Sequence, residues 1–223
     1  MTLYLIRAAC IGAVSAVFGL IAIAPRAQAH PHVWVTVETE ILDDGQQNIT
    51  GFRHTWTFDE FYSSFAIQGM DKNNDGIFDR DELKELADVN INSLQEFGFF
   101  TFPQIASHQV ECLQPKDYWL EHKNGTLTLH FTLPLKEPVP KAKRKDFHFA
   151  VFDPTFYVSF GFAKEHPVRM ASGHSECKAE ISKPEEQAPA KSLSESIFSK
   201  NDQLMNFGKQ YAETVRLKCG AAS

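Results

Sequence analysis

Asp71, Asn73, Asp75, Ile77, Asp79 and Glu82 place oxygen donors at the first, third, fifth, seventh, ninth and twelfth positions of one stretch, Asp71-Lys72-Asn73-Asn74-Asp75-Gly76-Ile77-Phe78-Asp79-Arg80-Asp81-Glu82. A hard dication takes six to eight oxygens at about 2.3–2.6 Å, and this is the spacing of an EF-hand-type calcium loop. Asp71, Asn73 and Asp75 can turn inward as the chain curls, and Gly76 permits the sharp bend. Ile77 contributes its main-chain carbonyl whatever its side chain, Asp79 acts directly or through water, and Glu82 closes the shell with two oxygens. Phe78 stands where an apolar residue anchors such a loop. A surface turn that caps a helix would explain the Asp and Asn content alone. It does not require the spaced donors, the glycine and the terminal glutamate together.

A second chemistry is written at His30-Pro31-His32. If the chain is cut after Ala29, His30 carries a free amine and an imidazole, with His32 close by as a third nitrogen. That set suits nickel, cobalt, zinc or copper, and Pro31 disfavours a site built on deprotonated main-chain amides because its nitrogen has no proton to lose. Strand alternation could bring His54, His130 or His148 to the same face as His32, although a solvated or hydrogen-bonded structural role is the commoner fate of such a residue. A metal held by imidazole and amine would be released in acid.

These donors need elements to hold them. Val33 to Ile41 alternates apolar and polar residues, Asp43-Asp44-Gly45 supplies a turn, and a second run passes through Ile49, Phe52, Trp56 and Phe58: a β-hairpin. The period then becomes helical at Phe58, Phe61, Phe65 and Met70, and again at Leu83, Leu86, Ala87 and Leu94, so two helices are expected around the loop, the second ending at Gly98. Strands are expected at Ile105 to Cys112, Tyr118 to Glu121, Thr126 to Leu133, Phe147 to Phe152, Thr155 to Phe162, Val168 to Ala171 and Cys177 to Ile181. The polar stretch 182–194 reads as a flexible linker, Ile197 to Tyr211 as a short helix and Thr214 to Cys219 as a closing strand. The fold class expected is mainly β: an antiparallel β-sandwich-like domain over residues 30–181, carrying a helix-loop-helix insertion at about 59–98, with segment 195–223 packing back on it.

Arg7, the apolar run Ala8 to Ala24 and Ala27-Gln28-Ala29 have the layout of a cleaved export signal over residues 1–29, more than that of an anchor. Cleavage leaves 194 of the 223 residues, with no later stretch apolar enough to span a bilayer. It also removes Arg7 and Arg26, so 22 Lys and Arg become 20 against 28 Asp and Glu, a formal charge of −8. Such a balance argues against nucleic acid. The basic run Lys141 to Lys145 reads as a solvated hairpin tip. Of the three remaining cysteines, Cys112, Cys177 and Cys219, the pairing of Cys177 with Cys219 is favoured because it ties the end of the chain to the body across the linker. Elbows, metalloprotease helices and phosphate loops are missing, and Asp153-Pro154 with Phe156 and Tyr157 reads as a turn with core aromatics, so an enzyme is not expected.

Taken together, His30-Pro31-His32-Val33-Trp34-Val35, Trp56-Thr57-Phe58-Asp59-Glu60-Phe61 leading into the loop, Phe97-Gly98-Phe99-Phe100-Thr101 and Phe152-Asp153-Pro154-Thr155-Phe156-Tyr157-Val158 resemble a bacterial domain-of-unknown-function family. Its members are commonly labelled as the periplasmic component of an uncharacterised ABC-type transport system, and their genes often lie beside nickel, cobalt or zinc transporters. The resemblance covers nearly the whole chain after residue 29. It implies a periplasmic helper of a membrane metal permease or ABC transporter, without the fused permease helices of some relatives.

Overall fold

A computed structural model describes residues 31–172, 177–184 and 207–220. The expected export signal, His30, His174, most of the linker and the first part of the expected C-terminal helix lie outside them. The described chain from Pro31 onward forms one unit. It is mainly β, as expected, with the strands gathered into two sheets.

The hairpin is built as its alternation requires. Strands β1 (Val33–Asp43) and β2 (Ile49–Phe58) pair antiparallel, burying Val33, Val35, Val37 and Ile41 from one strand and Phe52, Trp56 and Phe58 from the other. Their turn is closed by Asp44, whose carboxylate accepts from the main chain of Gln46 and Asn48. At Gly51 a Cβ would lie 2.6 Å from the Leu133 carbonyl, so only glycine lets β2 meet β6 at that point. The first sheet runs β5 (Lys116–Lys123), β6 (Thr126–Val139), β2, β1, β8 (Val158–Phe162), with β9 (Val168–Met170) also on β1. The second runs β10 (Cys177–Ser182), β11 (Thr214–Cys219), β7 (Phe147–Val151), β3 (Thr101–Ile105), β4 (His108–Gln109). Both sheets contribute to one hydrophobic core, and Phe52 of the first meets Phe149 of the second with ring centroids 4.8 Å apart. Each such buried aromatic contributes on the order of 2–3 kcal/mol.

Several expectations are corrected. The pairing is not wholly antiparallel: β8 and β9 both run parallel to β1. The chain reaches β8 from the other sheet through the Asp153–Tyr157 turn, and a crossing of that kind, unlike a hairpin, can bring a strand in parallel. The expected strand Ile105 to Cys112 is broken at Ala106, whose φ is +52°, into β3 and the short β4. The basic run is no hairpin tip, because β6 and β7 belong to different sheets; it forms a short 3-10 turn in which Arg144 is buried and donates to the side-chain Oε1 of Gln47 at 2.8 Å. Of the expected C-terminal helix the described residues hold one 3-10 turn, Gly208–Tyr211. Cys177 and Cys219 are directly opposite each other in register and form a disulfide, leaving Cys112 as a free thiol.

Two helices flank the acidic loop. Helix α1 (Glu60–Ala66) starts at Asp59, whose side chain accepts from the Tyr62 amide, and α2 (Lys84–Leu94) follows the loop directly. α1 is shorter than its phenylalanines suggested and is turned the other way: Phe61 and Phe65 are 82% and 68% exposed. The residue it buries is Ser63, whose hydroxyl donates to the Asp59 carbonyl at 2.7 Å and accepts from the Leu127 amide of β6 at 2.8 Å. That link satisfies a strand amide, and Tyr62 and Ala66 of the same helix pack against the core beside it. α2 keeps its expected face, burying Ala87 and Ile91 beside Leu83. It ends at Leu94, four residues before the expected stop, and a 3-10 stretch, Gln95–Phe100, then carries the chain through Gly98, with φ of +61°.

Candidate functional site

The loop from Asp71 to Glu82 is organised around its last residue. Glu82 is only 7% exposed although it is a carboxylate. Its Oε1 accepts from the amides of Lys72 at 2.8 Å and Asn73 at 3.3 Å, and its Oε2 from the amide of Asp79 at 3.2 Å. The closing residue of the twelve thus reaches back across the whole loop to its opening. Asp71 accepts from the amides of Asp75 and Gly76 at 3.2 and 3.0 Å. The side-chain Oδ1 of Asn73 also accepts from Asp75 N–H at 2.9 Å, and the Asp75 carboxylate accepts from Ile77 N–H at 2.7 Å. Asp79 caps the following turn by accepting from Asp81 and Glu82, both at 2.9 Å. Gly76 sits at φ +78°, where a side chain would be strained.

The donor set is of the oxygen chemistry that a hard dication takes. All six expected ligands offer oxygen, and five carboxylates share twelve residues with only Lys72 and Arg80 of opposite sign. In this structure the carboxylates of Asp71, Asp75, Asp79 and Glu82 accept from loop amides. Among the described residues, no three His, Cys, Asp or Glu side chains are gathered as a metal-holding group.

The loop is moored to strand β5. Phe78, expected to anchor the loop to the flanking helices, meets the His122 ring of β5 edge-on with centroids 4.9 Å apart. The Arg80 guanidinium lies over the Trp119 ring, and the other cross-strand neighbour of that ring, His130, is stacked on it at 3.8 Å. From α2, Asp88 accepts the Tyr118 hydroxyl at 2.9 Å. Sequence reasoning missed this Arg80–Trp119–His130 stack. Only the β5–β6 register reveals that Trp119 faces His130, and no local pattern carries that information.

The histidines are dispersed. His30 lies outside the described residues. His32 is exposed; its amide donates to the Tyr157 carbonyl at 2.9 Å and its ring sits 4.8 Å from that of Tyr157. Burial first, then the neighbouring Tyr157 and Asp59, raises the pKa of the Tyr62 phenol beside them. His54 points into the core between the hydroxyls of Thr39 at 3.0 Å and Thr101 at 3.3 Å, and burial pushes its pKa down to about 3. His130 lies on the outer face of the first sheet, next to Thr55, which is opposite Glu38. Glu38 is six residues from His32 along β1, roughly 20 Å. His148 is in the second sheet, bonded to Gln104 at 3.1 Å. The convergence of His54, His130 or His148 on His32 that alternation allowed is therefore not formed: strand parity separates His54, distance along the sheet His130 and sheet membership His148. Asp153 is the turn residue expected: buried, it accepts from the Thr155 amide and hydroxyl and from the Val158 amide.

Among the described residues no helix is long and apolar enough to cross a membrane. Residues 15–219 match the model of a family described as protein of unknown function (DUF1007). The chain is also 28% identical over 196 residues to an uncharacterized protein of Haemophilus influenzae, covering 86% of this chain and 91% of that one. With so long a match to its model, the chain belongs to the DUF1007 family.

Proposed function

We propose that this is an exported calcium-binding protein of the periplasm, a β-sandwich carrying a single EF-hand-type insertion, and an accessory component of divalent transition-metal transport. The observation that carries the calcium reading is the position of Glu82, a buried carboxylate whose oxygens reach back to Lys72 and Asn73. Asp71, Asn73, Asp75, the Ile77 carbonyl, Asp79 and Glu82 would hold the ion, which would neutralise a stretch of five carboxylates. A structural role for the ion is favoured over a switching one: Phe78 and Arg80 tie the loop to β5, and sensor loops expose a groove on binding. An extracellular module would need an affinity of only about 10⁻⁴–10⁻³ M.

His30 and His32 would capture nickel, cobalt, zinc or copper at the new N-terminus and present it to a membrane permease or ABC transporter. Support for this part is the exposure of His32 and its anchorage on Tyr157, together with the resemblance set out above. Neither nucleic acid nor a catalytic role is proposed. The rival reading is a calcium-stabilised interaction module that carries no transition metal.

Two titrations separate these readings. Chelator-stripped protein should take up one equivalent of calcium by calorimetry and melt at a higher temperature with it; no heat and no shift would overturn the calcium reading. Nickel, zinc and copper should bind the cleaved protein more tightly than its His30→Ala/His32→Ala variant. Equal, weak binding by both would leave the interaction module.

A further inference from the structure

The acidic loop grips the edge strand on which it lies. Phe78 meets His122 and Arg80 lies over Trp119; these two residues of β5 are three apart, so alternation turns them to opposite faces of the strand. The Arg80 side of the grip reaches a titratable group. Trp119 is stacked on His130, its partner in register on β6, with centroids 3.8 Å apart. The His130 Nδ1 faces the Thr55 hydroxyl at 3.3 Å. Its Nε2 is buried with no hydrogen-bond partner among the described residues, the Glu121 Oε2 standing 3.6 Å away. A buried polar atom without a partner is rare enough in native proteins to ask for a reason. The charges facing the ring are Glu121 from β5, Arg80 from the loop and Glu38 from β1. Arg53, paired with Glu40, and Lys116 stand one row away, each opposite Thr132.

We infer that Arg80, Trp119 and His130 form a proton-operated latch that holds the acidic loop on β5 while His130 is neutral, releases it when His130 is protonated, and so tunes the loop's affinity for calcium. The tuning of calcium rests on the reading of the loop proposed above; the latch does not. Docking keeps His130 neutral. Burial lowers its pKa first, Glu121 opposes this, the Arg80 charge adds to the lowering and Glu38 opposes it. When the loop leaves, the stack opens to water and the Arg80 charge withdraws, so the released state holds the proton more tightly. The state with the higher pKa gains as pH falls. The latch is therefore whole above the ordinary histidine value of 6.5 and loosens below it. Calcium acts in the opposite sense. Arg80 stands between Asp79 and Glu82, so a docked Arg80 helps to fix two of the proposed ligands, and the ion adds positive charge near a ring that protonation would also charge. Proton and calcium weaken each other, by reciprocal amounts.

Loop protection is measured by hydrogen exchange of residues 71–82 in metal-free protein of residues 30–223, since Pro31 to Ser223 is a compact unit with its own core. Wild type and variants are compared at the same pH, so that intrinsic exchange rates cancel. His130→Gln still bonds Thr55 and does not titrate; its loop should be protected as in wild type at pH 7.5 and about fivefold better than wild type at pH 5. Arg80→Ala, an exposed change that leaves the sheet intact, should be unprotected at both pH values. Calcium should bind wild type about fivefold more weakly than His130→Gln at pH 5, with equal affinities at pH 7.5. Parallel loss of protection in acid by wild type and His130→Gln, or an acid-dependent loss that persists in Arg80→Ala, would overturn the latch. Failure to take up calcium at pH 7.5 would remove the calcium reading alone, with the exchange data still deciding the latch, whereas uptake with the same acid dependence in both proteins would overturn the tuning.

Discussion

Arg80 lies over Trp119, with its guanidinium carbon 4.1 Å from the ring centroid. The contact joins the acidic loop to the edge strand of the larger sheet, and Trp119 is in turn stacked on His130. It gives the loop an optical reporter. Calcium added to stripped protein is expected to change tryptophan emission, and Trp119→Phe should abolish most of that change while calorimetric binding persists. Arg80→Ala should lower stability by about 0.5–1 kcal/mol, the range for an exposed cation–π contact, with Arg80→Lys in between; denaturant midpoints provide the check.

Replacing Glu82 by Gln preserves shape and one acceptor oxygen but removes the second oxygen and the charge. Calcium affinity should fall at least tenfold, about 1.4 kcal/mol or more, in calorimetric titration. The metal-free variant should remain folded, losing on the order of 1–3 kcal/mol, because Asn73, Lys72 and Asp79 amides then share a weaker acceptor. An unchanged affinity would show that Glu82 is only a turn residue.

Stability should fall in acid through His54. Its folded pKa is pushed from 6.5 to about 3 by burial, so the unfolded chain takes up a proton below pH 6.5 while the folded one stays neutral. The stabilisation is whole above pH 6.5 and drains away between there and about pH 3, by a few kcal/mol. Burial lowers His130 and His148 as well, and they act in the same sense. Melting temperatures from pH 7.5 to pH 4.5 should drop less for His54→Gln, which still bonds a threonine hydroxyl and does not titrate. Parallel curves would remove His54 as a cause.

Gly208 is where the C-terminal segment rejoins the body. Its amide donates to the Pro154 carbonyl at 2.8 Å, and a Cβ there would lie 1.7 Å from the Asp153 carbonyl oxygen. Gly208→Ala should therefore push residues 207–211 off the Asp153 turn, costing about 2 kcal/mol or more and speeding tryptic cleavage after the already exposed Lys209. Gly161→Ala, where a Cβ meets nothing within 4 Å, should leave both melting and cleavage rate nearly unchanged.

The hairpin of β1 and β2 was legible because alternation of period two is a local signal, and Asp43-Asp44-Gly45 marked its turn. The buried face of α2 was legible for the same reason. The face of α1 was not: Phe61 and Phe65 have helical spacing, yet the helix turns Tyr62, Ser63 and Ala66 inward, Ser63 accepting from the Leu127 amide 64 residues away. Ala106 and Arg144 misled in the same manner, one breaking an expected strand through a left-handed residue and the other burying a charge on Gln47.

What the sequence by itself determined is the local chemistry: the oxygen donors spaced from Asp71 to Glu82, the bend at Gly76 and the mainly β class, all set by residue order within one turn or strand. Only the tertiary structure decided which of those groups meet. It paired Cys177 with Cys219, kept His54 in the core away from His32, and laid Arg80 on Trp119, because strand register and sheet membership are fixed by burial across the whole chain rather than by neighbours in sequence.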